Sequence, residues 1–232
     1  MGEQKTNTDI MPRNDEGSRQ LFIGRSGTGK STLINKKIQN FLSYTKNKKQ
    51  KSNLIFISPT FEYDKAYDPI RKYVEKKAKT VNEEVVGKLY NIVTDKSNRK
   101  RNNPYLIVID DLGENTYMKY KQKDNLLNEL IVTARHNNTH LIWSLQKMKQ
   151  ANTLLRRNAD RIYGFKIDDI NEKNDFYKEF AGELTPKEFN TISNLTWKEP
   201  YNYLTIDRTN PYKTQYFHND RLLGFERNGE NL

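Results

Sequence analysis

A glycine-rich stretch near the N-terminus has the residue types and the spacing of a phosphate-binding loop. The apolar run Leu21–Ile23 ends at Gly24, four residues follow, and Gly29, Lys30 and Ser31 complete the pattern G-x-x-x-x-G-K-S. The glycines let the backbone turn its N–H groups toward phosphate oxygens, and the N-terminus of the following helix adds partial positive charge. The residues predicted to bind the phosphates are Gly24, Arg25, Ser26, Gly27, Thr28, Gly29, Lys30, Ser31 and Thr32.

The two polar side chains at the end of this loop have distinct predicted roles. Lys30 is expected to reach the β- and γ-phosphates of a nucleotide, and the Ser31 hydroxyl is expected to ligate Mg²⁺. The flanks fit this reading, because Gln20–Ile23 is typical of a strand and Thr32–Leu42 of a helix. ATP and Mg²⁺ are therefore the predicted cofactors.

A second stretch places two carboxylates after a buried strand. Tyr105–Ile109 is a continuous apolar run with β-branched residues, and Asp110 and Asp111 follow it directly. Open α/β sheets bind ligands beyond the carboxyl ends of their strands. Asp110 is predicted to hold the Mg²⁺ shell, and Asp111 to orient or deprotonate the attacking water. The alternative is a plain turn, since Asp and Gly favour turns.

A third buried strand, Leu141–Gln146, ends in an amide. Such a glutamine can hydrogen-bond both the γ-phosphate and the attacking water, although a glutamine that merely caps the strand is equally plausible from sequence. Gln146 is therefore a candidate catalytic residue.

The composition favours a polyanionic partner and gives no sign of a membrane segment. The chain of 232 residues carries a net charge of +11 with a pI near 9.5, which suits binding to nucleic acid. The alternative is that the base bias of the genome accounts for the lysine- and asparagine-rich composition. Cysteine is absent, no apolar run approaches membrane-spanning length, and no secretory signal is evident. A soluble, intracellular protein is expected. His136 and His140 are interpreted as ordinary polar residues.

The remaining pattern predicts a single α/β domain, residues 20–232, after a loose arm over residues 1–19. The predicted fold is a mostly parallel, twisted sheet flanked by helices and extended by a C-terminal antiparallel hairpin. Predicted further strands are Asn53–Ser58, Arg161–Ile167, Tyr203–Asp207 and Lys213–Phe217. Predicted further helices are Pro69–Lys79, Glu83–Val93, Lys121–His136, Glu172–Ala181 and Thr185–Asn194. The five central strands, numbered along the chain, are expected in the order 5-1-4-3-2.

Taken together, these stretches resemble the FtsK–HerA superfamily of ring-forming ATPases, most nearly the genome-packaging ATPases of large DNA viruses, virophages and poxvirus-type elements. The resemblance extends from about Leu21 to Phe217. Beyond the loop and the acidic strand, it rests on Ala134–Asn137 before the strand ending at Gln146, on Leu155–Asn158 with Phe165–Lys166, and on Tyr203–Asp207.

This resemblance implies a P-loop NTPase fold of the ASCE, RecA-like type and an ATP-driven motor. The motor would package double-stranded DNA into a preformed viral capsid as a homo-oligomeric ring of five or six subunits, docked on capsid vertex proteins in an infected cell.

Arg135 matches the position of the arginine that, in this superfamily, completes the active site of a neighbouring subunit, and Arg156 and Arg157 compete for that role. Where the superfamily often has Glu after the Mg²⁺ aspartate, this chain has Asp111, so Glu114 remains an alternative for positioning the water.

DNA contacts are expected to be independent of base sequence, with Lys96–Arg101 and Lys147–Lys149 as candidate segments. Three other functions remain open. A nucleotide kinase needs an arginine-rich lid, and a GTPase switch needs an Asn-Lys-x-Asp motif; neither pattern is evident in the sequence. A conjugation or chromosome-pumping motor of the same superfamily is the third.

Overall fold

The structure is a computed structural model, and it describes residues 17–95, 103–112 and 126–224, with short strand segments at 226–227 and 230–231. The strands are β1 Arg19–Ile23, β2 Asn53–Ile57, β3 Val74–Ala78, β4 Tyr105–Ile109, β5 Thr139–Leu145, β6 Arg161–Phe165, β7 Tyr203–Asp207, β8 Gln215–His218, β9 Arg221–Leu222, β10 Glu226–Arg227 and β11 Glu230–Asn231. The α-helices are α1 Lys30–Asn47, α2 Glu83–Thr94, α3 Leu126–Thr133, α4 Thr153–Asn158, α5 Ile170–Phe180 and α6 Pro186–Thr196. Three 3₁₀ helices span Lys65–Tyr73, Ala134–Asn137 and Met148–Gln150.

Within these described ranges, nine strands form one sheet in the order β3-β2-β4-β5-β1-β6-β7-β8-β9. The strands from β3 to β6 pair in parallel, and β7, β8 and β9 continue the sheet antiparallel. The predicted central order is confirmed, because the strands predicted as 5-1-4-3-2 are β6, β1, β5, β4 and β2. The predicted C-terminal hairpin is also confirmed, with Thr205 opposite Phe217.

The central strands are buried on both faces, which is why their sequences are continuous apolar runs rather than alternating ones. In β4, Leu106 and Val108 pack with α1 and the first 3₁₀ helix, while Ile107 and Ile109 pack with the helices on the opposite face. Successive side chains of this strand therefore pack alternately into the two hydrophobic cores, one on each face of the sheet. The sheet that carries the loops at its carboxyl edge is therefore packed on both faces.

The predicted helix Pro69–Lys79 is wrong. The Asp64 side chain accepts a hydrogen bond from the Ala66 N–H and caps the 3₁₀ helix Lys65–Tyr73. The chain then extends as β3 because its backbone pairs with β2. The charged residues of β3 favour a helix by propensity, but on an outer strand they also discourage pairing with other chains.

Element ends differ elsewhere from the predicted ones. Helix α1 is longer than predicted. The first five residues of the predicted helix Lys121–His136 lie outside the described residues, and the rest forms α3 followed by a 3₁₀ turn. The predicted arm extends too far, since Ser18 and Arg19 are buried and Arg19 begins β1. Residues 1–16, the whole candidate DNA segment Lys96–Arg101, and Glu114 lie outside the described residues.

No helix in the described part of the chain is both long enough and apolar enough to cross a bilayer.

Candidate active site

The phosphate-binding loop connects β1 to α1 in the conformation that its glycines permit. Gly27 and Gly29 have φ values of 77° and 97°, in the left-handed region that other residues rarely adopt. Gly29 is also the N-cap of α1. The loop therefore ends directly at the helix N-terminus, where free backbone N–H groups and the helix dipole favour an anion.

Lys30 is folded back against this loop. Its Nζ donates hydrogen bonds to the carbonyl oxygens of Gly24 at 2.5 Å and Arg25 at 2.8 Å, and the residue is only 9% exposed. Burial lowers the pKa of Lys30, while the nearby carboxylates of Asp110 and Asp111 act in the opposite direction. The ammonium group is thus placed between the loop and the acidic pair predicted from sequence.

Asp110 lies at the carboxyl end of β4 and is 3% exposed. Its Oδ2 accepts a hydrogen bond of 2.6 Å from the hydroxyl of Tyr67, a fully buried residue of the first 3₁₀ helix. Burial raises the pKa of Asp110, and the neighbouring Ser144 and Tyr67 hydroxyls partly oppose this. Burial and the Asp110 carboxylate raise the pKa of Tyr67 well above its ordinary value, so this hydroxyl remains a donor.

The oxygens at this point suit a magnesium ion. The Tyr67 hydroxyl interacts with the Ser31 side chain as well as with Asp110, so the two predicted magnesium ligands lie close together. A nucleotide-bound Mg²⁺ typically takes one or two protein oxygens and completes its shell with phosphates and waters. No cluster of three or more His, Asp or Glu side chains suited to a metal occurs among the described residues.

Asp111 and Gln146 form a second polar pair beside Asp110. The Gln146 Nε2 donates a hydrogen bond of 2.7 Å to Asp111 Oδ1, joining the carboxyl ends of β4 and β5. Asp111 has a φ of 50°, a left-handed conformation that Asp tolerates better than most residues. The Gln146 N–H itself donates to Gln150 Oε1 at 3.0 Å, which fixes the turn after β5.

These residues surround one open cavity of about 400 Å³. The cavity brings together nine residues predicted from sequence, namely Ser26, Gly27, Gly29, Lys30, Ser31, Thr32, Asp110, Asp111 and Gln146. Gly24 and Arg25 instead line a neighbouring cleft with Gln146 and Lys147, and the Thr28 hydroxyl donates to the Arg25 carbonyl at 2.8 Å. Thr60 and Asp64 line the open cavity as well, so it holds one ammonium group, several hydroxyls, three carboxylates and an amide around a space of nucleotide-phosphate size.

Sequence reasoning missed two aromatic residues, one bonded to a residue of the cavity and one that lines the cavity itself. Tyr67 reaches Asp110 from a segment that follows β2, and Tyr201 lines the cavity from the turn before β7. No spacing rule connects either tyrosine with the phosphate loop, so only the folded chain reveals them.

Arg135 does not belong to this cavity. It is exposed, in the 3₁₀ helix that precedes β5, whereas Gln146 follows β5. The seven residues of that strand separate the two positions by roughly 23 Å. Arg156 donates to Glu179 Oε2 at 2.5 Å and is partly buried, while Arg157 is exposed. None of the three arginines lines this cavity or the neighbouring cleft.

The histidines and the candidate DNA segment can also be placed. His140 is fully buried in β5, and burial lowers its pKa to about 3, so it is a neutral core residue rather than an ordinary polar one. His136 is exposed. In Lys147–Lys149, Lys147 is exposed, Met148 is buried, and Lys149 forms an ion pair of 2.7 Å with Asp175.

Comparison with solved structures gives neighbours over nearly the whole chain. B204, the DNA-packaging ATPase from Sulfolobus turreted icosahedral virus, matches with a TM-score of 0.62 and 22% identity over 88% of this chain and 97% of that one. The genome packaging NTPase B204 from Sulfolobus turreted icosahedral virus 2 in complex with ATP-gammaS matches with a TM-score of 0.59 and 21% identity, covering 87% and 96%.

A more distant neighbour is a larger bacterial protein. Thermomonospora curvata EccC (ATPases 2 and 3) matches with a TM-score of 0.51 and 17% identity, covering 88% of this chain and 37% of that chain. No protein-family model and no curated protein sequence matches the chain. At these identities the likeness establishes the fold, and the P-loop NTPase fold expected from the resemblance is confirmed.

Proposed function

We propose that this chain is a Mg²⁺-dependent ATPase that packages double-stranded viral DNA into a preformed capsid as a homo-oligomeric ring. One observation carries the proposal: Lys30, Ser31, Asp110 and the Asp111–Gln146 pair surround a single cavity at the carboxyl edge of the sheet. The fold shared with the B204 packaging NTPases over nearly their whole length supports it. Five or six subunits, docked on capsid vertex proteins in an infected cell, complete the proposal.

The proposed reaction is the in-line attack of water on the γ-phosphorus of ATP. The water oxygen forms the new bond, the bond to the β,γ-bridging oxygen breaks, and ADP and phosphate leave. Asp111 holds the water and accepts its proton, and Gln146, which donates to the Asp111 carboxylate, keeps that group oriented toward the γ-phosphate. A hydrogen bond from the Gln146 amide to the γ-phosphate would also let this residue sense whether that phosphate is present.

Charge that develops on the phosphate oxygens has to be stabilised by fixed positive groups. Lys30 exchanges the carbonyls of Gly24 and Arg25 for β- and γ-phosphate oxygens. Ser31 and Asp110 are the residues that would hold Mg²⁺, which supplies neutralisation of the β- and γ-oxygens when it is bound. Tyr67 donates to Asp110 and so keeps that carboxylate aimed at the cavity.

Double-stranded DNA is the proposed partner because the chain carries a net charge of +11. Contacts to phosphates predict that DNA raises the ATPase rate regardless of base sequence, and that this stimulation is lost steeply between about 50 and 200 mM salt. Phosphate release with and without DNA of two unrelated sequences measures this. A small molecule that becomes phosphorylated would instead establish a kinase, and a preference for GTP without any response to DNA would favour a switch protein.

Arg135 is the proposed trans-acting arginine. It is exposed at the amino edge of the sheet, so it is positioned to reach a neighbouring subunit rather than its own phosphates. A guanidinium there would neutralise the transferring phosphoryl group and make hydrolysis depend on assembly. Arg156 is less suited, because Glu179 already holds its guanidinium.

Mixing two variants tests this assignment. Arg135→Ala and Lys30→Ala should each be inactive alone, yet an equal mixture should recover activity at the roughly one quarter of interfaces that combine an intact loop with an intact arginine. Arg157→Ala is the matched control and should retain the wild-type rate. Full activity of Arg135→Ala, or loss of activity in Arg157→Ala alone, would reject Arg135 as the trans-acting residue.

A further inference from the structure

Tyr201 lies over the start of helix α1, beside the phosphate loop. It occupies the turn between α6 and β7, and it lines the same cavity as Ser31 and Thr32. A β-carbon built on Gly29 would lie 3.3 Å from Tyr201 Cδ1, so the ring is in contact distance of the loop. Nevertheless the residue is 71% exposed, which means that most of the ring faces the open cavity and solvent.

The backbone at Tyr201 is strained. Its φ is 66°, in the left-handed region where a bulky aromatic residue is an outlier. Such strain persists only where surrounding structure enforces it, and it concentrates at ligand sites. Burial of the side chain cannot be the reason for it, because the ring is largely exposed.

The surrounding structure does enforce this turn. The Asn219 side chain donates from Nδ2 to Asn202 Oδ1 at 2.9 Å, and its Oδ1 accepts from the Tyr203 N–H at 2.9 Å. Both residues that follow Tyr201 are therefore tied to the loop between β8 and β9. The fold therefore holds the backbone of this turn in place, with the exposed Tyr201 ring beside the phosphate-binding loop.

The ring of Tyr201 lies on the side of the cavity toward which the base of a bound nucleotide would extend. The γ-phosphate end of the cavity is defined by Lys30 and the Asp111–Gln146 pair. Tyr201 instead lies against Gly29, at the first turn of α1, where Thr32 also lines the cavity. A nucleotide with its γ-phosphate at the acidic pair would extend its base away from that pair, over the first turn of α1.

We propose that Tyr201 is a base-binding residue whose ring stacks on the purine of the nucleotide held by the phosphate loop. This inference rests on the proposed function, because it presumes a nucleoside triphosphate in that loop. Every base has a π-face, so a stacking contact of this kind adds affinity without selecting one base by hydrogen bonds. The site should therefore gain comparable affinity for ATP and for GTP from Tyr201.

Comparing nucleotides with inorganic triphosphate separates stacking from effects on the loop. Tyr201→Ala should raise the Kd of Mg-ATP and of Mg-GTP about 5- to 100-fold, since loss of one base–aromatic stack has this magnitude. The Kd of inorganic triphosphate, which has no base, should stay at the wild-type value. Tyr201→Phe should retain the affinity for ATP, because the ring remains.

Two further variants serve as controls. Tyr201→Gly removes the ring and also relieves the positive φ, so it should lose ATP affinity like Tyr201→Ala while folding at least as well. Tyr212→Ala changes a tyrosine that is 95% exposed in the β7–β8 hairpin, and it should leave all three Kd values unchanged.

Several outcomes would overturn the inference. Equal weakening of ATP and inorganic triphosphate would mean that Tyr201 only orders the phosphate loop, and unchanged ATP affinity in Tyr201→Gly would mean that the ring contacts no base. Either result leaves the phosphate site intact in the wild-type protein. Failure of the wild-type protein to bind both ATP and triphosphate would instead reject the proposed function together with the stacking contact.

Discussion

Replacement of Lys30 by alanine is expected to lower the rate of ATP hydrolysis at least about a hundred-fold, the usual cost of losing one donor aimed at developing charge. Its ammonium group is buried against the loop and lies near both carboxylates of the site. No other described lysine or arginine lines this cavity. The triphosphate would therefore lose the cation that bridges its β- and γ-oxygens.

The measurement is steady-state phosphate release at saturating Mg-ATP. Lys36→Ala is the matched control, because Lys36 lies on the same helix but is exposed and forms a surface ion pair with Asp220 at 3.3 Å. A surface ion pair of this kind contributes about 0–1 kcal/mol, so the control should remain active. Comparable rates for Lys30→Ala and Lys36→Ala would exclude Lys30 from the site.

Asp110→Asn should have opposite effects on activity and on stability. Hydrolysis is expected to fall about a hundred-fold or more, because the magnesium shell loses its carboxylate. The folded protein without nucleotide should nevertheless be as stable as the wild type or more stable. Burial raises the pKa of Asp110, so at neutral pH its ionised form destabilises the folded state relative to the unfolded one. This cost decreases as the pH falls toward the raised pKa, and an asparagine removes it while still accepting from Tyr67.

The thermal midpoint at neutral pH, together with phosphate release, measures both effects. Asp160→Asn is the contrasting control. Asp160 accepts from Arg19 Nη2 at 2.9 Å and from the Arg19 N–H at 2.7 Å, at the amino edge of the sheet. Its replacement should cost roughly 1–3 kcal/mol of stability and leave hydrolysis intact. An Asp110→Asn protein that hydrolyses ATP normally, or that unfolds as early as Asp160→Asn, would contradict the assignment.

The parts that sequence predicted are those in which local pattern and tertiary structure agree. The apolar runs at Tyr105–Ile109 and Leu141–Leu145 had to be strands buried on both faces, and parallel pairing then brought Asp110 and Gln146 to one edge. The glycine spacing before Lys30 likewise admits few conformations other than the observed loop. Strand order followed from these constraints and from the resemblance.

The parts that sequence did not predict depend on contacts between distant segments. Residues 74–78 include charged residues that favour a helix, but they form a strand because their backbone pairs in parallel with the outer edge of β2. Tyr67 and Tyr201 acquire their places only when the chain folds around Asp110 and Gly29. The positive φ of Asp111, which turns its carboxylate toward Gln146, is also invisible in a strand pattern.

The most direct test is a crystal structure of the protein with Mg²⁺ and a non-hydrolysable ATP analogue. The account predicts β- and γ-phosphates among the backbone amides of Gly27–Ser31, with Lys30 Nζ moved from the Gly24 carbonyl to the phosphates, and with Mg²⁺ between Ser31 and Asp110. A triphosphate bound elsewhere, with Lys30 still on the Gly24 carbonyl, would contradict it.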